Sequence, residues 1–76
     1  MKIKIGEVFE SITYVAGETH AIVVILDRIR RGRYSTKVLK SWGVDPLRVG
    51  SRYTCYSRDL KRKLSKEKAL KYILGV

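Results

Sequence analysis

Between residues 28 and 41 stand Arg28, Arg30, Arg31, Arg33, Lys37 and Lys40 with no acid among them, and Tyr34 and Trp42 lie within or beside the run. Cations displace the counterions condensed on phosphates, and flat side chains stack on bases, so these residue types together suit a nucleic acid. Guanidinium groups in Arg30-Arg31-Gly32-Arg33 can fork onto phosphate oxygens or enter a groove. A run of like charge repels itself and costs stability unless a partner neutralises it. The plain alternative is a solvated surface that only aids solubility. A second basic set, Arg48, Arg52, Arg58 and Lys61-Arg62-Lys63, extends the same surface if the fold brings it alongside. Its alternative is a basic connector that solubilises the start of a terminal helix.

Arg31-Gly32-Arg33 resembles the core of an AT-hook, which lays two arginines along a narrow minor groove. Tyr34 stands where that motif needs proline, so a hairpin turn with Gly32 at its positive-φ position is the expected structure. Trp42, beside Gly43 and flanked by Lys40 and Ser41, is either an exposed stacking platform or a plug in the open end of a barrel. Tyr34 and Tyr56 are the next stacking candidates, whereas Phe9 and Tyr53 are expected in the core.

Other chemistries lack their residues. Cys55 and His20 are each single, which leaves no disulfide framework and no spacing for a zinc site. Nothing marks an acid and a nucleophile to complete a triad around His20, and Cys55, in a strand, reads as a small buried hydrophobe. Gly43 and Gly50 are isolated turn glycines, not a phosphate loop. The expectation is a binding protein, not an enzyme, with no cofactor and no metal.

The elements that must position the cations follow from pattern and composition. Seventy-six residues allow one domain, 1–76, with one small core. The formal charge is +10, yet residues 1–27 carry a net −2, so all the excess lies further on. There is no Asn and no Gln, which is a thermophile trait and removes the usual bidentate readers of adenine. The longest apolar run, Ala21 to Leu26, is far short of a membrane span, and residues 1–20 lack a signal-peptide pattern, so a cytoplasmic location is expected.

Ile3 and Ile5 alternate with lysines before the apolar phase shifts at Gly6, which predicts a bulge or bend that splits the first strand. Ala16-Gly17-Glu18-Thr19 supplies a turn, and His20 to Ile29 a buried strand. The Arg30–Arg33 turn leads to a third strand over Tyr34 to Leu39. Lys40 to Pro46 reads as a connection, and Arg52 to Tyr56 as a fourth strand. From Asp59 the pattern turns helical: Leu60 and Leu64 suggest an extra turn, then Ser65 caps a helix over Lys66 to Leu74 that ends at Gly75. Leu70, Ile73 and Leu74 form its apolar stripe, and Glu67 and Lys71 an i, i+4 pair. The expected fold is mainly β with a C-terminal helix, a partly open SH3-like or OB-like barrel of four to five antiparallel strands whose helix closes one end of the core.

In size, charge and element order the chain is similar to the small basic chromatin proteins of thermophilic archaea, which use compact SH3-like barrels. No stretch of residues matches them closely enough to carry sites across. The functional expectation is sequence-nonspecific nucleic-acid binding of the chromatin type, nucleoid-associated, with DNA favoured over RNA. A second class is an accessory subunit of a polymerase, ribosome or viral assembly that binds protein through an exposed strand edge. A third is a small ribonuclease toxin, but such toxins usually place helices before the main sheet, and strands come first here.

Overall fold

Residues 21–26 are apolar without alternation because the strand that holds them is buried on both faces. The computed structural model describes residues 2–14 and 17–75. Its elements are β1 (Val8–Thr13), β2 (Thr19–Arg30), β3 (Arg33–Gly43), β4 (Arg52–Tyr56), a 3₁₀ turn (Ser57–Asp59), β5 (Leu60–Lys63) and α1 (Lys66–Leu74). All strand pairs are antiparallel, in one open sheet of order β4-β3-β2-β1-β5. Five strands and one C-terminal helix are the expected class, consistent with a small, partly open barrel. An OB-like barrel is a Greek key. Here β1 to β4 are successive neighbours and β5 returns to the free side of β1, an order that fits the SH3-like alternative.

One face of the sheet wraps a main core of Phe9, Ala21, Val23, Ile25, Val38, Cys55 and Leu60, with Tyr34 and Tyr53 packed against it. The opposite, outer face carries a second cluster, Val8, Ile22 and Leu64, onto which Ala69 and Tyr72 of α1 pack. The register explains the division: Val8 pairs with Val24 and Glu10 with Ile22 on one side of the pleat, Phe9 with Val23 and Ser11 with Ala21 on the other. The helix therefore lies against the outside of the barrel and does not plug an end of the main core.

Three further expectations are corrected. The segment Leu60–Lys63 is a strand on β1, not a helical turn. The i, i+4 spacing of Leu60 and Leu64 looks helical, but a register shift falls between Leu60, opposite Ser11, and Arg62, opposite Glu10. That extra residue turns the strand over, so Leu60 enters the main core and Leu64 the outer one. This strand, and not a split at Gly6, is the fifth; residues 5 and 6 form a turn before β1. Second, β3 continues through Lys40, Ser41 and Trp42 to Gly43. Ser41 holds that stretch, its Oγ donating to the His20 carbonyl and accepting from the Leu47 N–H, each at 2.8 Å. Third, Leu70, Ile73 and Leu74 face solvent, 54, 50 and 70 % exposed. The helix approaches through the smaller Ala69 instead.

The helix limits are as expected: Ser65 Oγ accepts from the Lys68 N–H, and Gly75 is the left-handed cap. The Glu67–Lys71 pair is not among the side-chain pairs found in the described residues, which are Arg62–Glu10, Lys63–Glu7 and the His20–Glu18 contact. Part of the expected 16–19 turn lies outside the described residues. At Gly43, φ is +118° and a Cβ would stand 2.5 Å from the Glu18 carbonyl oxygen, so the β2–β3 ladder can end this tightly only at glycine.

Candidate functional site

The β2–β3 hairpin puts Arg31 and Gly32 at its tip, with Arg30 paired to Arg33. Gly32 has φ +77°, and its carbonyl accepts from the Ser57 N–H at 2.9 Å, which docks the tip onto the turn after β4. Arg33 lies opposite Tyr56 on β4. The guanidinium carbons of Arg33 and Arg58 stand 5.5 and 4.9 Å from the Tyr56 ring centroid, so one exposed tyrosine gathers two arginines. The Nε of Arg33 is buried without a hydrogen-bond partner.

From this tip the outer face continues along β3 and β4. Lys37 lies opposite Arg52 and Val24, on the same side of the pleat as Arg33. A bulge at Leu39 sets Lys40 opposite Ile22, and Trp42 pairs with His20. All these pairings lie on the side of the sheet that α1 covers. At about 3.3 Å per residue, the strip from Arg33 to Trp42 is about 30 Å long.

At its far end, α1 and the sheet enclose a groove of about 580 Å³. Lys40 and Trp42 line its β3 side, Lys68, Lys71 and Tyr72 its helix side, and Arg62 the β5 side; Ile22 and Leu64 are the floor. Trp42 is neither plug nor free platform. It is 39 % exposed, stacked on His20 with ring centroids 5.3 Å apart and planes 11° from parallel. The Lys40 Nζ is 5.8 Å from the indole, and His20 bonds to Glu18 at 3.3 Å. The acid in the groove, Glu10, meets Arg62 at 3.2 Å, which leaves Lys40, Lys68 and Lys71 outside the ion pairs of the described residues.

The residues singled out in the sequence thus divide. Arg30, Arg33, Lys37, Lys40, Trp42, Arg52 and Arg62 share the outer face, and Arg58 joins them through Tyr56. Arg31 is the hairpin apex. Arg28 pairs with Tyr34 on the other side of the pleat, where Tyr34 packs onto the main core. Arg48 sits in the loop before β4. Lys61 donates to the Arg58 carbonyl at 2.8 Å and lines a cleft of about 390 Å³ with Tyr14, Tyr53 and Tyr56. Lys63 is engaged by Glu7 at 3.0 Å. Lys68, Lys71 and Tyr72 are not among the binding residues expected from sequence, where Lys71 figures only as a partner for Glu67. Their i, i+3/i+4 spacing is a detectable signal, but their neighbours on β3 and β5 are not.

Two groups are tuned. The Lys4 backbone N–H, then the Lys63 ammonium, hold the Glu7 carboxyl below its ordinary value. Burial pushes the Cys55 thiol up, against a contact with the Thr36 hydroxyl at 3.6 Å, and suits it to packing more than to reactivity. Among the described residues no group of His, Cys, Asp and Glu could hold a metal ion, and no helix is long and apolar enough to cross a membrane. Compared with known proteins, the chain matches no family model, no curated protein and no solved structure. The site is read from its own residues.

Proposed function

We propose that the protein binds nucleic acid without sequence specificity, as a small DNA-binding protein of the architectural type. Cations contact phosphates, and aromatic rings meet bases. The observation that carries this reading is the outer-face strip from Arg30 and Arg33 through Lys37 and Arg52 to Lys40, which joins two distant basic segments on one side of the sheet. Acids on that side include Asp27, opposite Ser35, Glu10, paired with Arg62, and Glu18, which reaches His20 beside Trp42. A polyanion laid along the strip relieves the mutual repulsion of its cations and releases counterions. The absence of Asn and Gln supports recognition of backbone and shape over one base sequence.

Titration with random duplex DNA, single-stranded DNA and structured RNA across a salt series tests the reading. Binding is expected to weaken by about 10³–10⁵ between 50 and 200 mM salt if six to ten phosphates are contacted. No association at low salt, or affinity indifferent to salt, overturns it. A second reading, an accessory subunit that binds protein by strand addition, is favoured by the edges of β4 and β5, each of which has a neighbouring strand on one side only among the described residues. It predicts pairing with a partner chain where nucleic acid fails to bind.

A further inference from the structure

We infer that the groove between α1 and the outer face of the sheet takes one unstacked nucleotide of a single strand, with the base against Trp42 and Tyr72 and the phosphate among Lys40, Lys68 and Lys71. This rests on the nucleic-acid reading and gives it a preference for unpaired strands. The chemistry is that of a nucleotide: flat rings on two sides and three cations outside the ion pairs of the described residues, while the acid Glu10 is neutralised by Arg62. The volume, about 580 Å³, falls within the ~300–1,000 Å³ of pockets that enclose small organic ligands.

Concavity decides between strands. A duplex keeps its bases stacked inside and offers a concave groove mainly its backbone, so the rings here are reached by a base already splayed out. His20, stacked on the indole, holds the ring in place while leaving it 39 % exposed. The Lys40 ammonium lies over that ring, 5.8 Å from its centroid, and a base that stacks there takes its place while the ammonium turns to the attached phosphate. The strip through Lys37, Arg52 and Arg33 then carries the adjoining phosphates toward the hairpin.

Trp42 is the one tryptophan of the chain, so its emission reports on the groove alone. Twelve-residue oligothymidine, a duplex of equal length and inorganic tripolyphosphate are titrated in parallel at low salt. Oligothymidine is expected to quench Trp42 and to bind about five-fold or more tighter than the duplex, the least that one stacked base contributes. The double variant Lys68→Glu with Lys71→Glu changes two exposed helix positions, and its fold is verified by circular dichroism. It is expected to lose both quenching and preference while keeping salt-dependent binding through the hairpin. Equal binding of both strands with unchanged emission overturns the groove and leaves the nucleic-acid reading standing. So does equal quenching by the duplex, or by tripolyphosphate, which would reduce the groove to an anion site. Failure of every polyanion to bind overturns both.

Discussion

The hairpin tip and the helix-side groove carry comparable charge but assemble it by different routes. At the tip, Arg30, Arg31 and Arg33 are near neighbours in the chain, and a two-residue turn suffices to expose them. In the groove, Lys40 comes from β3, Arg62 from β5, and Lys68 and Lys71 from α1. The tip is held by the Ser57 N–H to Gly32 carbonyl bond and by cation–π contacts at a surface, which are weak. The groove is underlain by buried Ile22 and Leu64. Charge density along a sequence and charge density in space are different quantities, and only the second concerns a ligand.

Experiments can separate the two regions, beginning with the groove floor. Ile22→Ala removes a side chain 2 % exposed beneath α1 and is expected to cost about 2–5 kcal/mol, measured by thermal or denaturant unfolding. Leu70→Ala, on the outward helix face, is expected to stay within about 0.5 kcal/mol. Comparable losses would mean that the helix packs through its apolar stripe after all. At the tip, replacing Arg30, Arg31 and Arg33 together by alanine should weaken binding to all sequences alike and lower the salt slope by about 2–3. An unchanged slope would shift the phosphate contacts to the groove.

Tyr56→Leu is gentler. It frees Arg33 and Arg58 from their shared ring and should reduce affinity a few-fold, about 0.5–1 kcal/mol per exposed contact, with little change in melting temperature. The smallest effect concerns the sheet edge shared by Glu7 and Lys63. The Glu7 carboxyl titrates below its ordinary 4.5 in the folded protein, so its contribution is complete above that value and is lost as pH falls through the depressed one. Glu7→Gln should flatten the acid limb of stability against pH; an identical limb in both proteins would contradict the Lys4 and Lys63 contacts.

Much of the fold was legible. β4 and α1 have the expected limits because Ser65, Gly75 and the alternation through Tyr53 and Cys55 are local signals. The burial of Phe9 and Cys55 followed from the need of so small a domain for apolar volume. What escaped were features set by partners far along the chain. Leu60 and Leu64 share a helical spacing, and only pairing with β1 reveals a strand that turns over between them. Trp42 has no strand-like neighbours, and its place on β3 depends on His20 across the ladder. The candidate site divides in the same way. The tip is one contiguous segment, whereas the three groove residues on α1 gain meaning only when the helix is laid on the outside of the sheet.

Gly43 gives the groove a property that its charges do not. The backbone there comes so near Glu18 that even a methyl group has no room, which clamps the last pair of the β2–β3 ladder beside Trp42. The indole wall is therefore preorganised. An arriving ligand meets a surface already in its working arrangement, and association does not have to offset the entropy of fixing it.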